Sequence, residues 1–261
     1  METVNVGEIA AGAILKNLIW LLPVLILIAF LKSSWFKGVM GEALVKLAAK
    51  LRLSRKTYQP IHNVTLPTPD GSTQIDHVFV SRFGIFVIET KNMKGWIFGS
   101  ETQRQWTQKI FKKSFKFQNP LHQNHKHVKA LEAALDVPTE RIHSVVVFAG
   151  DCTIKSPMPP NVVRGMGFIR YIQSFRDVVF SEAEVKSLVE QIELGRLEPS
   201  RQTHREHVQR LKQRSDPNTA RRCPGCGSDM ILRVARKVSN AGKRFWGCDN
   251  YPSCRVVQRV D

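Results

Sequence analysis

Two apolar runs constrain the fold of this chain more than any other feature. Gln74–Ser81 reads QIDHVFVS and Gly84–Thr90 reads GIFVIET, joined by the short connection Arg82-Phe83-Gly84. Both are rich in β-branched and aromatic residues and too short for helices. The pair reads as a hairpin of buried strands. A chain built around such a pair needs covering layers on both of its faces.

The flanking segments supply those layers. Gly41-Glu42 opens an apolar pattern at Leu44, Leu47, Ala48 and Leu51, one face of a helix. Pro60–Leu66 suits a strand ended by the turn chemistry of Pro67–Ser72. Asn119–Leu135 reads as a helix with Leu121, Val128, Leu131, Ala134 and Leu135 mostly inward, and Ile142–Ala149 as a buried strand. Phe168–Phe175 and Glu182–Leu194 read as two further helices. The order helix, three strands, helix, strand predicts an α/β or α+β layered domain around one mixed sheet.

Chemistry-bearing residues interrupt the two runs. Asp76 stands in the first strand, with Glu89 and Lys91 near the end of the second. Glu89 and Lys91 are two apart and project to one side. A lone acid in an apolar strand is expensive to bury unless it is paired or liganded. Two carboxylates and a lysine that converge would hold a hard cation such as Mg²⁺ or Mn²⁺. That cation could polarise a phosphodiester and activate water. The alternative is that each acid faces solvent on a half-exposed sheet. His77 is expected on the opposite side from Asp76. His122, His125 and His127 read as a solvated helix face or phosphate contacts, since they lack a Cys or acid at ligand spacing. Trp96, Phe98 and Trp106 read as core or hairpin packing, and Cys152 as an inert small residue.

The ends of the chain differ from this middle. Leu18–Leu31, LIWLLPVLILIAFL, carries no charge. As a helix it reaches about 21 Å, short of a ~30 Å hydrocarbon core, and IAAGAI before Lys16 extends it. Trp20, Trp35 and Phe36 suit the headgroup region. Residues 9–37 therefore read as a bilayer anchor, with a buried core helix as the alternative. The acidic N-terminus and the absence of an A-x-A site disfavour a cleaved signal peptide. Five cations follow the span (Lys32, Lys37, Lys46, Lys50 and Arg52) and Lys16 alone precedes it. The positive-inside rule then predicts a single pass with the N-terminus outside and the rest cytoplasmic, the membrane being the inner one if the chain is bacterial.

The formal charge is +17 from 39 Lys+Arg and 22 Asp+Glu, which points to a polyanion. Residues 201–261 alone carry 14 basic and 5 acidic residues. Within them Cys223, Cys226, Cys248 and Cys254 have the spacing C-x2-C-x21-C-x5-C. Four thiolates make a closed structural Zn²⁺ site with no open catalytic position. Disulfides are the alternative, disfavoured in a reducing cytoplasm.

Two resemblances emerge from these residues. Gly41-Glu42, TQIDHVFVSRFGIFVIETKNMKGWIFGSE, Trp106-Thr-Gln, QNPLHQN and HSVVVFAG resemble the NERD (nuclease-related) domain over about 110 residues. The resemblance implies a fold similar to PD-(D/E)xK restriction-endonuclease-like nucleases. Asp76 and Glu89 would then be metal ligands, Lys91 the catalytic lysine and Glu42 an auxiliary acid. Gln108 and Gln123 match polar family positions that touch phosphate or metal. Ile75 replaces the proline of the nuclease name pattern. The segment CPGCGSDMILRVARKVSNAGKRFWGCDNYPSCR resembles the zinc ribbon of type IA DNA topoisomerases, with Val238 where related ribbons carry glycine. That resemblance implies single-stranded DNA binding. Arg233, Arg236, Lys237, Lys243, Arg244 and Arg255 would contact phosphates, and Phe245, Trp246 and Tyr251 would offer stacking faces. For the aromatics the alternative is packing over the zinc knuckle.

The expected organisation is an anchor at 1–37, a nuclease-like domain at 38–197, a basic linker at 198–220 and a zinc ribbon at 221–261. The expected partners are DNA rather than RNA and a lipid bilayer, with no small-molecule cofactor. The expected function is a metal-dependent nuclease; the competing one is a non-catalytic DNA tether on a degenerate nuclease fold.

Overall fold

The computed structural model describes residues 21–68, 71–197, 221–223, 225–235, 242 and 244–259. The expected linker and the greater part of the expected anchor lie outside them. The chain divides into two units. The larger is built on a five-stranded sheet of order β1-β2-β3-β7-β9. Its strands are β1 (Tyr58–Thr68), β2 (Gly71–Ser81), β3 (Gly84–Lys91), β7 (Ile142–Phe148) and β9 (Val162–Arg164). β2 and β3 form the expected antiparallel hairpin, with Val78 opposite Val87. Gly84 closes its turn at φ +130°, where a Cβ would strike the His143 ring. β3 and β7 run parallel, with Glu89 opposite Val146.

Side-chain alternation distributes the central residues between two apolar layers. Val78, Val80, Ile85 and Val87 pack toward α3 (Pro120–Leu135) and α5 (Glu182–Gly195). Phe79, Phe86, Ile88, Val145 and Val147 pack toward α2 (Ser34–Arg52) and α4 (Gly167–Gln173). Asn119 caps α3 by accepting from the Leu121 amide, and Pro120 follows with its φ already preset for a helix. Ser181 and Glu184 form a reciprocal capping box on α5.

The single-sheet expectation requires correction. A second, four-stranded sheet of order β6-β5-β4-β8 stands in the same unit. It contains β4 (Gly95–Phe98), β5 (Gln105–Ile110), β6 (Lys113–Gln118) and β8 (Cys152–Ile154). Its core is Ile97, Trp106 and Cys152, packed with Val146 and Phe148. The Trp106 ring is fully buried and stacks on Phe148 at 6.2 Å. β5 and β6 are polar and alternate weakly, so apolar periodicity does not reveal them.

Helix α2 forms where its periodicity predicts, but the leucine face is not the one it buries. Its inward residues are Gly41, Val45 and Ala49. Leu44, Leu47 and Leu51 are 47%, 52% and 71% exposed. The small residues allow close approach, since a Cβ on Gly41 would meet Asn92 Cβ at 2.7 Å. The leucine pattern is a true helical face, but it points outward. The apolar helix before it, α1 (Leu21–Lys32), turns by 57° into α2. Ser33 caps α2 by accepting from the Phe36 amide at 3.1 Å. Among the described residues no single helix is long and apolar enough to cross a membrane; the bent pair passes that test only together.

The second unit contains β10 (Arg221–Arg222), β11 (Asp229–Val234), β12 (Arg244–Cys248) and β13 (Val257–Arg259) in one antiparallel sheet. Its buried cluster is Cys223, Met230, Trp246 and Cys248.

Candidate functional site

The site grows from the register of the central hairpin. His77 pairs with Ile88 as the last rung of the β2–β3 ladder, and Asp76 next to it brings its carboxylate to the end of β3. Asp76 Oδ2 accepts from the Thr90 amide at 2.8 Å. Burial and the facing Glu89 charge push the Asp76 carboxyl up to about 8. Two acids at one spot cannot both ionise cheaply without a cation.

Glu89 is 2% exposed. Its Oε1 accepts from Lys91 Nζ at 2.7 Å and its Oε2 from His127 Nε2 at 3.1 Å. Burial alone would raise its pKa. The bond from His127 and the nearby Lys91 charge outweigh that and hold it below the ordinary value. Lys91 Nζ also donates to Gln123 Oε1 at 3.0 Å, and its side chain is 20% exposed. The ammonium therefore sits at the accessible edge of the cluster.

Glu42 is half-buried on α2, close enough to Glu89 to feel its charge. Burial first, and then Glu89, raises its pKa. Gln108 is directed elsewhere: its amide donates to the Lys94 carbonyl at 2.8 Å. Asp76, Glu89, Lys91 and Gln123 thus come together, Glu42 stands near, and Gln108 has a separate partner.

His127 departs from the expectation of a solvated helix face. It is 4% exposed, and Thr73 Oγ1 lies 2.8 Å from its Nδ1, completing a Thr73–His127–Glu89 chain. The available signal was its apolar neighbourhood on α3: His127 precedes Val128 and lies four residues before the core residue Leu131. His122 and His125 are exposed as expected. His77 lies on the other sheet face, 3.1 Å from His62, and burial pushes it down to about 3. Two asparagines of the same motif are structural. Asn124 donates to the Val87 and Val145 carbonyls, and Asn119 to those of Ser100, Glu101 and Gln103.

Four cysteines build the second centre. Their ligand atoms lie within 4.8 Å of one another; among the described residues no other cluster of three or more Cys, His, Asp or Glu does so. Cys223 and Cys254 sulfurs are 3.6 Å apart, and those of Cys226 and Cys248 3.3 Å. These separations are far beyond a disulfide bond. They approach the ~3.8 Å edge of a tetrahedron with 2.3 Å Zn–S bonds. The donor set fits a structural Zn²⁺.

Beside it, register pairs Arg233 with Phe245 on one face of the ribbon sheet. Arg233 is exposed, Phe245 is half-buried and Tyr251 is 62% exposed. Gly247 on that face leaves room for the Arg233 side chain. Arg244 and Arg255 are exposed. Trp246 is a correction: it is 4% exposed, packed with Met230 and the cysteines, and offers no stacking face. Arg236, Lys237 and Lys243 lie outside the described residues.

Comparison with known proteins decides the lineage. Residues 37–149 match the nuclease-related domain, NERD. An uncharacterized protein of Bacillus anthracis is 40% identical over 158 residues, 59% of this chain and 74% of that protein. The chain belongs to the NERD family. Residues 220–261 of this NERD protein match the topoisomerase DNA binding C4 zinc finger. DNA topoisomerase 1 of Pyrococcus horikoshii is 41% identical over 44 residues, and that of Archaeoglobus fulgidus 52% over 33. Those segments are 17% and 13% of this chain but only 6% and 4% of the topoisomerases. No solved structure matches. A nuclease-related domain joined to a topoisomerase-type ribbon supports DNA as partner and zinc as the structural metal.

Proposed function

We propose that this NERD protein is a membrane-anchored, divalent-metal-dependent nuclease that hydrolyses DNA phosphodiesters. Its core would be restriction-endonuclease-like and its ribbon would bind single-stranded DNA. The observation that carries the reading is the convergence of Asp76, Glu89, Lys91 and Gln123 at the end of β3. Two facing carboxylates, one driven up to about 8, form an oxygen-donor set for Mg²⁺ or Mn²⁺. When bound there, such a cation supplies a polarised phosphate and a more acidic water.

The chain's own residues do the rest. Lys91 holds positive charge at the open edge, where a phosphate would be drawn. Gln123 fixes the direction of that ammonium. His127 and Thr73 keep the Glu89 carboxylate oriented and ionised. Glu42 stands as an auxiliary acid. The anchoring part rests on the uncharged run ending in α1, whose described side chains are exposed.

A second reading, a DNA tether without turnover, is favoured by one observation. Both Glu89 oxygens are already engaged, by Lys91 and His127, as in a structural ion pair. Incubating the full chain with single- and double-stranded DNA in Mg²⁺ or Mn²⁺ separates the two. Cleavage that disappears in Asp76→Ala supports the enzyme. Retained binding without cleavage of any DNA or RNA supports the tether.

A further inference from the structure

Helix α2 has two apolar faces, and among the described residues only one of them has a partner in the fold. Gly41, Val45 and Ala49 meet the sheet. On the opposite side, Met40, Leu44, Leu47 and Leu51 recur at i, i+4, i+7 and i+11 and are 42–71% exposed. Such a stripe is costly to leave in water. Cations border it: Lys50 on one side and Lys37 on the other, both exposed. Between α2 and β1 lies a cleft of about 310 Å³, with Leu47, Tyr58 and Phe79 as apolar walls and Lys46, Lys50 and Arg55 as cations. The stripe begins just past the corner where α1, apolar up to Lys32, turns by 57°.

We infer that the outer face of α2 docks on an anionic phospholipid surface. The leucines enter the boundary between headgroups and acyl chains, and the cleft cations take a lipid phosphate. An interfacial helix needs this combination of an exposed apolar stripe, flanking lysines and a neighbouring insertion segment. Nucleic acid would match the cations but not four exposed aliphatic side chains. This deepens the anchoring reading: the nuclease-like unit is held flat against the bilayer by its own first helix, rather than swinging from a tether.

The test uses the full chain reconstituted in vesicles, with the photoreactive residue benzoylphenylalanine placed at position Leu47, Leu51, Leu25 or Phe111. Phe111 is 94% exposed at the β5–β6 turn and serves as the water-facing control. In vesicles of phosphatidylcholine with phosphatidylglycerol, positions Leu47 and Leu51 should yield phospholipid adducts and Phe111 none. Removing phosphatidylglycerol, or introducing Lys46→Ala with Lys50→Ala, should lower the yield, by about fivefold for each charge lost. Lipid adducts at Leu25 but not at Leu47 or Leu51 would overturn the docking surface and leave the anchor standing. Adducts at Leu47 but not at Leu25 would keep the docking surface and overturn the anchor. Adducts at Leu47 to a second copy of the chain, or to added DNA, in place of lipid would overturn the inference.

Discussion

Around β3 the NERD unit buries two layers of Val, Ile, Leu and Phe, one on each face of its sheet. Among its described residues the tail's core cluster buries two cysteines, one methionine and one tryptophan. A chain segment that orders so little apolar surface cannot offset its conformational entropy by burial alone. The two regions therefore hold together by different means, one by hydrophobic area and the other by metal coordination. Function divides along the same line. In the core, charged groups are made costly by burial and so become chemically poised. In the ribbon, the metal frees the surface to carry exposed arginines.

The largest effect is expected from taking zinc out of the tail. Chelation, or Cys248→Ser, should remove on the order of 10 kcal/mol from the ribbon and collapse its amide dispersion, while the core strands keep their exchange protection. Persistence of ribbon order without metal would refute the assignment. The reverse perturbation is Phe86→Ala, at a side chain with no exposed surface, which should cost the core about 3–5 kcal/mol by thermal unfolding. The ribbon signals should not respond.

Asp76 makes the core sensitive to pH. Its folded pKa, about 8, lies above the ordinary 3.8, so the unfolded chain releases a proton that the folded chain retains. Stability from this group is present below pH 3.8 and is lost as pH rises toward 8. Asp76→Asn should therefore gain on the natural protein as pH rises through that window, and Mg²⁺ should narrow the difference. A flat difference between the two melting curves would show that the carboxyl is not perturbed.

The His62–His77 pair on the other sheet face should act oppositely. Burial lowers His77 from 6.5 to about 3 and His62 to about 4. Folding is thus unopposed above pH 6.5 and weakens as pH falls toward those values. His77→Gln should flatten the acid limb of the melting-temperature profile. At the small end, Arg233→Ala should reduce the salt slope of single-stranded DNA binding by about one, without altering the fold.

Much of the core was legible because apolar alternation is a strong signal. The β2–β3 hairpin, α3 and β7 follow from it, and so does the shared face of Glu89 and Lys91. What periodicity misses has physical reasons. The α2 leucines form a correct helical face, but a face says nothing of which partner it meets, and Gly41 and Ala49 make the smaller side the better fit to the sheet. β5 and β6 are polar strands held by a neighbour sheet. The engagement of His127 with Glu89 is a contact between residues 38 apart that neither local pattern contains. In the ribbon, ligand spacing exposed the cysteine cluster, whereas the burial of Trp246 depends on packing over the knuckle.

The proposed function stands or falls on whether Asp76, Glu89 and Lys91 form a working metal-dependent site. Parallel measurements of Mg²⁺-dependent DNA cleavage and DNA affinity on the full chain and its Lys91→Ala variant test it most directly. The natural chain should cleave, the variant should lose cleavage by at least about a hundredfold, and DNA affinity should stay within about twofold. Cleavage that survives Lys91→Ala unchanged, or never occurs with the natural chain, would contradict it.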